Sequence, residues 1–191
     1  FAEERPGQVP FEKDNKYEKE LYEKLRDHFV KGMHVTTDVA KDIEHFLELN
    51  EYSTIFHVPE QNVVYRGMVV NDQFMMKALG VNDKNDIKPR DGRENMNFTF
   101  TPFSSHGATS WTTSLSLAHE FSRYVGAEHH WDLIMFAKVA DNPNKFVECK
   151  KGLYNVKGFN SYSEEDEVLG LGSIKVYRIG WIDTTRVIPD W

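Results

Sequence analysis

The apolar residues of this chain change their spacing near residue 50, and that change limits the folds open to it. Tyr17, Leu21, Tyr22, Leu25 and Phe29 recur three or four positions apart, the repeat of one helix face, and Gly32 follows as a stop. Thr37 or Asp38 is placed to cap a second helix whose apolar face carries Val39, Ile43, Phe46, Leu47 and Leu49. From Asn62 onward, β-branched and aromatic runs punctuated by Gly, Asn and Asp largely replace that repeat. Helices first and strands afterwards predict an α+β domain with mainly antiparallel sheets rather than a doubly wound parallel sheet. The expected organisation is a loose lead-in over 1–15 and one domain over 16–191, helical in 16–50 with its core in 51–191.

Within that core, Asn62 to Val70 reads as a strand, followed by a short helix capped by Asp72 and ended by Gly80. Residues 81–97 are charged and rich in Asn, Asp and Gly, which predicts a long exposed loop. Asn97 to Phe103 alternates and predicts a strand, Ser104 to Ser110 a turn region, and Leu115 to Tyr124 a helix. Trp131 to Val139 predicts a central strand, with others at Phe146–Cys149, Val168–Leu169, Ile174–Trp181 and Thr185–Ile188.

A net charge of −7 argues against a broad electrostatic hold on nucleic acid, while leaving room for a local basic pocket. Cys149 is the single cysteine, so no internal disulfide can form. A zinc site would have to use His and carboxylates, and His129-His130 lacks the spaced partners such a site needs, so no metal is expected. No stretch approaches the roughly 18 apolar residues of a membrane helix, and no membrane partner is expected. Beginning at Phe1 without a basic-then-apolar leader, the sequence reads as a processed chain or an excised piece.

Three short motifs carry chemical interest. In Glu164-Glu165-Asp166-Glu167 the plain reading is a solvated acidic loop. In an extended segment, however, Glu165 and Glu167 share a side, and two carboxylates on one side suit cleavage of a glycosidic bond. Arg66 sits among Val63, Val64, Val69 and Val70, so it must reach solvent or meet an anion, and Gly67 beside it permits close backbone approach. Ser110-Trp111-Thr112-Thr113-Ser114 precedes a helix, where hydroxyls serve as caps. A Ser–His–Asp reading lacks the nucleophile-elbow motif. Gly170-Leu171-Gly172 is followed by a strand pattern, so any NAD site here is not of the Rossmann type.

Taken in order, Tyr65-Arg66-Gly67, Trp111-Thr112-Thr113-Ser114-Leu115 with Ala118 and Phe121, and Glu165-Asp166-Glu167-Val168-Leu169 resemble the R–S–E signature of arginine-specific mono-ADP-ribosyltransferases. That family includes bacterial actin-targeting toxins, vertebrate ecto-enzymes and transferases of T4-like phages, and the Thr-Thr-Ser form is most like the phage enzymes. The resemblance spans roughly residues 60 to 181. It implies the ADP-ribosyltransferase fold, two small packed mainly antiparallel sheets with N-terminal helices, and NAD as co-substrate without a metal.

By the same resemblance Arg66 would hold the NAD phosphates or adjoining ribose, and Gly67 would offer its backbone to the nicotinamide amide. Thr112 takes the family's serine position and would support the site and orient Glu167, with Thr113 and Ser114 beside it. Glu167 would bind the ribose 2′-hydroxyl and stabilise the oxocarbenium ion. Glu165 would mark arginine as acceptor, orienting a guanidinium whose pKa above about 12 makes it a poor nucleophile. Phe121 would stack on nicotinamide, although its spacing equally suits a core position, and Arg123 is a second phosphate candidate. The implied partner is a protein modified on arginine, a host transcription or translation protein or actin, in the cytoplasm of a host or target cell. Delivery as a secreted toxin or virion protein would fit. An NAD glycohydrolase using the same site and a non-catalytic acidic binding module are the competing readings.

Overall fold

A computed structural model describes residues 20, 23–24, 35–49, 56–102, 107–122, 130–149 and 167–184. The first expected helix lies mostly outside this set; Glu20, Glu23 and Lys24, which fall within it, are helical. Helix α1 is Thr37–Leu49. Its cap stands one residue earlier than expected, because the Thr36 hydroxyl accepts from the Val39 amide at 3.3 Å. The chain then forms β1 (Phe56–His57), β2 (Val63–Asn71) and helix α2 (Asp72–Leu79). Asn71, not Asp72, caps α2 by accepting from the Phe74 amide at 2.9 Å. The Asp72 carboxylate instead accepts from Trp131 Nε1 at 2.7 Å. Gly80 ends α2 at φ 68°, a left-handed stop as the sequence predicted.

Next come β3 (Arg90–Arg93), β4 (Phe98–Phe100), β5 (Ala108–Thr112) and helix α3 (Leu115–Ser122). β6 (His130–Lys138), β7 (Phe146–Cys149), β8 (Glu167–Leu171), β9 (Ile174–Val176) and β10 (Arg178–Asp183) complete the described elements. The long loop expected over 81–97 is corrected: it holds a one-turn 3-10 helix at Lys84–Asp86, buried Ile87 and strand β3. Every residue of β3 is exposed, so no apolar signal marks it; antiparallel backbone pairing to β10 holds it. The run Ile174–Trp181 is two strands rather than one. At Tyr177 the backbone leaves a ribbon for the main sheet, its amide donating to the Phe136 carbonyl at 3.1 Å.

The domain is α+β and its strand pairings are antiparallel. Where two packed sheets were expected, the pairings make one eight-stranded array in the order β1-β7-β8-β5-β2-β6-β10-β3, beside a β4–β9 ribbon. The array is nearly divided, however. β2 pairs with β6 along nine residue pairs but with β5 only at Tyr65↔Thr112.

Alternation along the strands separates two faces. Val64 and Val70 of β2 and Leu133 and Met135 of β6 enter the core with Trp111, Phe146 and Ile179. Met75 of α2, Phe100 of β4, and Ile174 and Val176 of β9 cover them. Phe100–Trp111 and Trp111–Phe146 meet edge to face at 6.2 and 5.4 Å between ring centroids, carrying this core across the join of β2 and β5. The opposite face carries α1 and α3. α1 packs against β8 with Ala40, Ile43 and Leu47 buried, and α3 rests on β2.

Candidate active site at the join of the sheet

The three motif segments meet where β2 leaves β5. Glu167, the first residue of β8, is paired with Thr112, the last of β5, and Thr112 is paired with Tyr65 of β2. Glu167 is half-buried, and the hydroxyl of Ser110 donates to its Oε1 at 2.8 Å. Ser110 lies diagonal to Glu167 in the antiparallel register, within reach of a side chain on the same face.

Arg66 reaches Ser110 from the other side. Alternation turns it away from Tyr65 and toward the core face, where its guanidinium stands 5.6 Å from the Phe100 ring centroid. Its Nη1 donates to the Ser110 carbonyl at 2.7 Å. Its Nε is the one buried side-chain nitrogen or oxygen among the described residues without a hydrogen-bond partner. Burial also pulls the Arg66 pKa down to about 10, well below the ordinary guanidinium value, because the low-dielectric surroundings penalise the charged form. One residue, Ser110, therefore touches both the arginine and the glutamate of the motif, through its carbonyl and its hydroxyl.

The hydroxyl run divides its work. Thr112 is buried, and its hydroxyl accepts from the Ser114 amide at 3.0 Å, tightening the turn out of β5. Ser114 caps α3 by accepting from the Leu117 amide at 3.3 Å. Thr113, half-buried, lies between them in that turn. Ser110 was visible only as the start of the run. The signal for it was alternation, since it stands two residues before Thr112 on the same strand face.

Gly67 has a packing reason for its missing side chain. A Cβ there would collide with the Ala118 carbonyl of α3, so glycine is what lets the helix seat on β2. With Leu115, His119 and Ser122 turned toward β6 and β10, the helical repeat leaves Phe121 on the opposite flank, over β5. Phe121 is 45% exposed, so the core position its spacing allowed is not where it lies. Glu165 and Arg123 lie outside the described residues, as do Glu164 and Asp166.

A partly exposed carboxylate held by a hydroxyl can grip a sugar hydroxyl or stabilise developing positive charge. A buried guanidinium with one unsatisfied nitrogen favours a phosphate-like anion. Among the described residues no group of three or more His, Cys, Asp or Glu is arranged to hold a metal. No described helix is long and apolar enough to cross a membrane. Comparison with protein-family models, with curated proteins and with solved structures yields no significant match.

Proposed function

We propose that this domain cleaves NAD at the nicotinamide–ribose bond and transfers the ADP-ribose to an arginine of a target protein. The observation that carries this reading is the convergence on Ser110. Arg66, the hydroxyl strand and Glu167 stand far apart in sequence, yet both charged residues bond to that one serine. The acceptor assignment rests on Glu165 and the sequence resemblance. Arg66 fits an NAD phosphate on independent grounds, because its buried Nε lacks a partner that an anionic oxygen would provide.

NAD supplies a ribosyl bond whose nicotinamide leaves with the bonding electron pair. Ser110 holds Glu167, and Glu167 grips the adjoining ribose hydroxyl and sets its charge against the carbon that becomes electron-poor. Phe121 offers an aromatic surface on the β5 flank of α3. Glu165 positions the acceptor guanidinium; a guanidinium nitrogen forms the new bond to ribose, and its proton passes to the carboxylate.

The test is incubation with labelled NAD and a host lysate. Arginine-linked label that disappears with Glu167→Gln supports the reading. Nicotinamide release without protein labelling would move it to the glycohydrolase, and the absence of both reactions would sink it.

A further inference from the structure

One cross-strand row runs from the candidate active site across the sheet. Glu167 of β8 is paired with Thr112 of β5, and Thr112 with Tyr65 of β2. Tyr65 is paired with Phe136 of β6, and Phe136 with Arg178 of β10. Residues directly opposite one another share a face, so these side chains rise on the side that carries α1 and α3. Two interstrand steps set the Tyr65 and Glu167 backbones roughly 10 Å apart. Between them lies Thr112, a small side chain that is itself buried, whereas Tyr65 and Glu167 are both half-buried. A phenol ring and a carboxylate rising from those positions flank one space, wide enough for a small planar group.

Aromatic rings cluster at the middle of this row, and cations lie on two of them. Phe136 meets Tyr65 at 5.2 Å and Tyr177 at 6.4 Å between ring centroids, both edge to face. The Arg178 guanidinium stands 4.7 Å from the Phe136 centroid, and Lys138 Nζ stands 4.8 Å from that of Tyr177. Each cation sits against the negative face of a ring. Tyr65 is the ring nearest Glu167, and no cation among the described residues stands over it. Repulsion from Arg178 does not close the place to a further cation, because Arg178 meets Glu94 at 3.5 Å and its charge is offset there. Arg66 rises on the opposite face, against Phe100. The row therefore repeats one arrangement, a cation on an aromatic ring, and leaves it incomplete at the ring beside the carboxylate.

We infer that the Tyr65 ring holds a guanidinium beside Glu167, and that this is the place of the acceptor arginine. A planar guanidinium stacks on an aromatic face and keeps its N–H groups directed sideways, toward the ribose that Glu167 grips. Naming the cation as the acceptor rests on the ADP-ribosyl reading; the cation site itself does not. Its test is an NMR titration of the full chain, without NAD, with 1-butylguanidine and with butylurea, a neutral compound of the same shape. The guanidine is expected to bind with a Kd below about 10 mM and the urea at least about tenfold more weakly. Tyr65→Ile keeps a strand-favouring side chain and should weaken the guanidine by about three- to thirtyfold. Tyr65→Phe keeps the ring and should bind within about threefold of wild type. An intermolecular Overhauser contact from the guanidine methylenes to the Tyr65 ring is expected in the wild type, and serves if the isoleucine variant fails to fold. The inference is overturned if the guanidine does not bind by about 10 mM or if butylurea binds as tightly. It is equally overturned if the Tyr65 contact is absent, or if a folded isoleucine variant binds like the wild type. With NAD added, bound guanidine should become labelled; NAD cleavage that leaves it unlabelled would overturn the acceptor role. Guanidine binding with no NAD cleavage at all would instead sink the ADP-ribosyl reading and leave the cation site standing.

Discussion

Ser110 donates its hydroxyl to Glu167 Oε1 at 2.8 Å, across the pairing of β5 with β8. A bond to a charged acceptor contributes about 1.5–3 kcal/mol, which converts to roughly ten- to a hundredfold if it is needed in the transition state. Ser110→Ala is therefore expected to lower kcat for NAD cleavage by that factor, with little change in KM. Ser110→Thr keeps a hydroxyl and should recover part of the rate. A KM-only effect, or alanine as active as wild type, would remove Ser110 from the site.

Arg66 gives a stability prediction with a defined sign. Its folded pKa of about 10 lies well below that of an unfolded guanidinium, so burying the cation costs about 3 kcal/mol. The bond from this charged group to the Ser110 carbonyl offsets about 1.5–3 kcal/mol of that. Arg66→Met should then leave the ligand-free protein as stable as wild type or about 1 kcal/mol more stable. Below pH 10 the native state carries the full cost; as pH rises from about 10 the unfolded chain holds more protons, and wild-type stability gains on the variant. Urea midpoints of both proteins at about pH 8 and about pH 10.5 check this, and a constant gap would refute it. NAD should raise the melting point of wild type and not of Arg66→Met.

What the sequence disclosed follows from where its signals come from. α1, β2 and β6 were legible because burial on one or both faces writes a periodic pattern, as in Ala40, Ile43 and Leu47. β3 was not, since Arg90-Asp91-Gly92-Arg93 is an exposed edge held by backbone bonds, which leave no mark on side-chain choice. The same limit applies to the site. Arg66 was selected by its charge in an apolar strand pattern and Glu167 by its spacing from Glu165 in an acidic run and by the family resemblance, whereas Ser110 acquires its position only from the register of β5 against β8. Nor could a local pattern tell that Gly67 and Gly180 share a cross-strand row, or that α3 seats on the first and leaves the second open.

Gly67→Ala tests the seating of α3. The added methyl meets helix backbone, which cannot rotate aside as a side chain would, so the helix must shift. Overpacking of this kind costs about 1–3 kcal/mol, and a lower melting point is expected together with weaker NAD cleavage, because Ser114 and Phe121 move with α3. An unchanged melting point would mean that α3 is not held against β2 at this glycine.

Glu165 separates the two halves of the proposed reaction. Breaking the nicotinamide bond needs the charge of Glu167, whereas using arginine as acceptor needs a second carboxylate to orient the guanidinium and take its proton. Glu165→Ala is accordingly expected to abolish arginine labelling by at least about a hundredfold while nicotinamide release falls by less than about tenfold, water replacing the acceptor. Glu167→Ala should remove both. The comparison is made with one NAD preparation, counting free nicotinamide and protein-bound label in the same samples. Equal loss of the two in Glu165→Ala would show that this residue serves bond cleavage itself, and the arginine assignment would then have no residue to rest on.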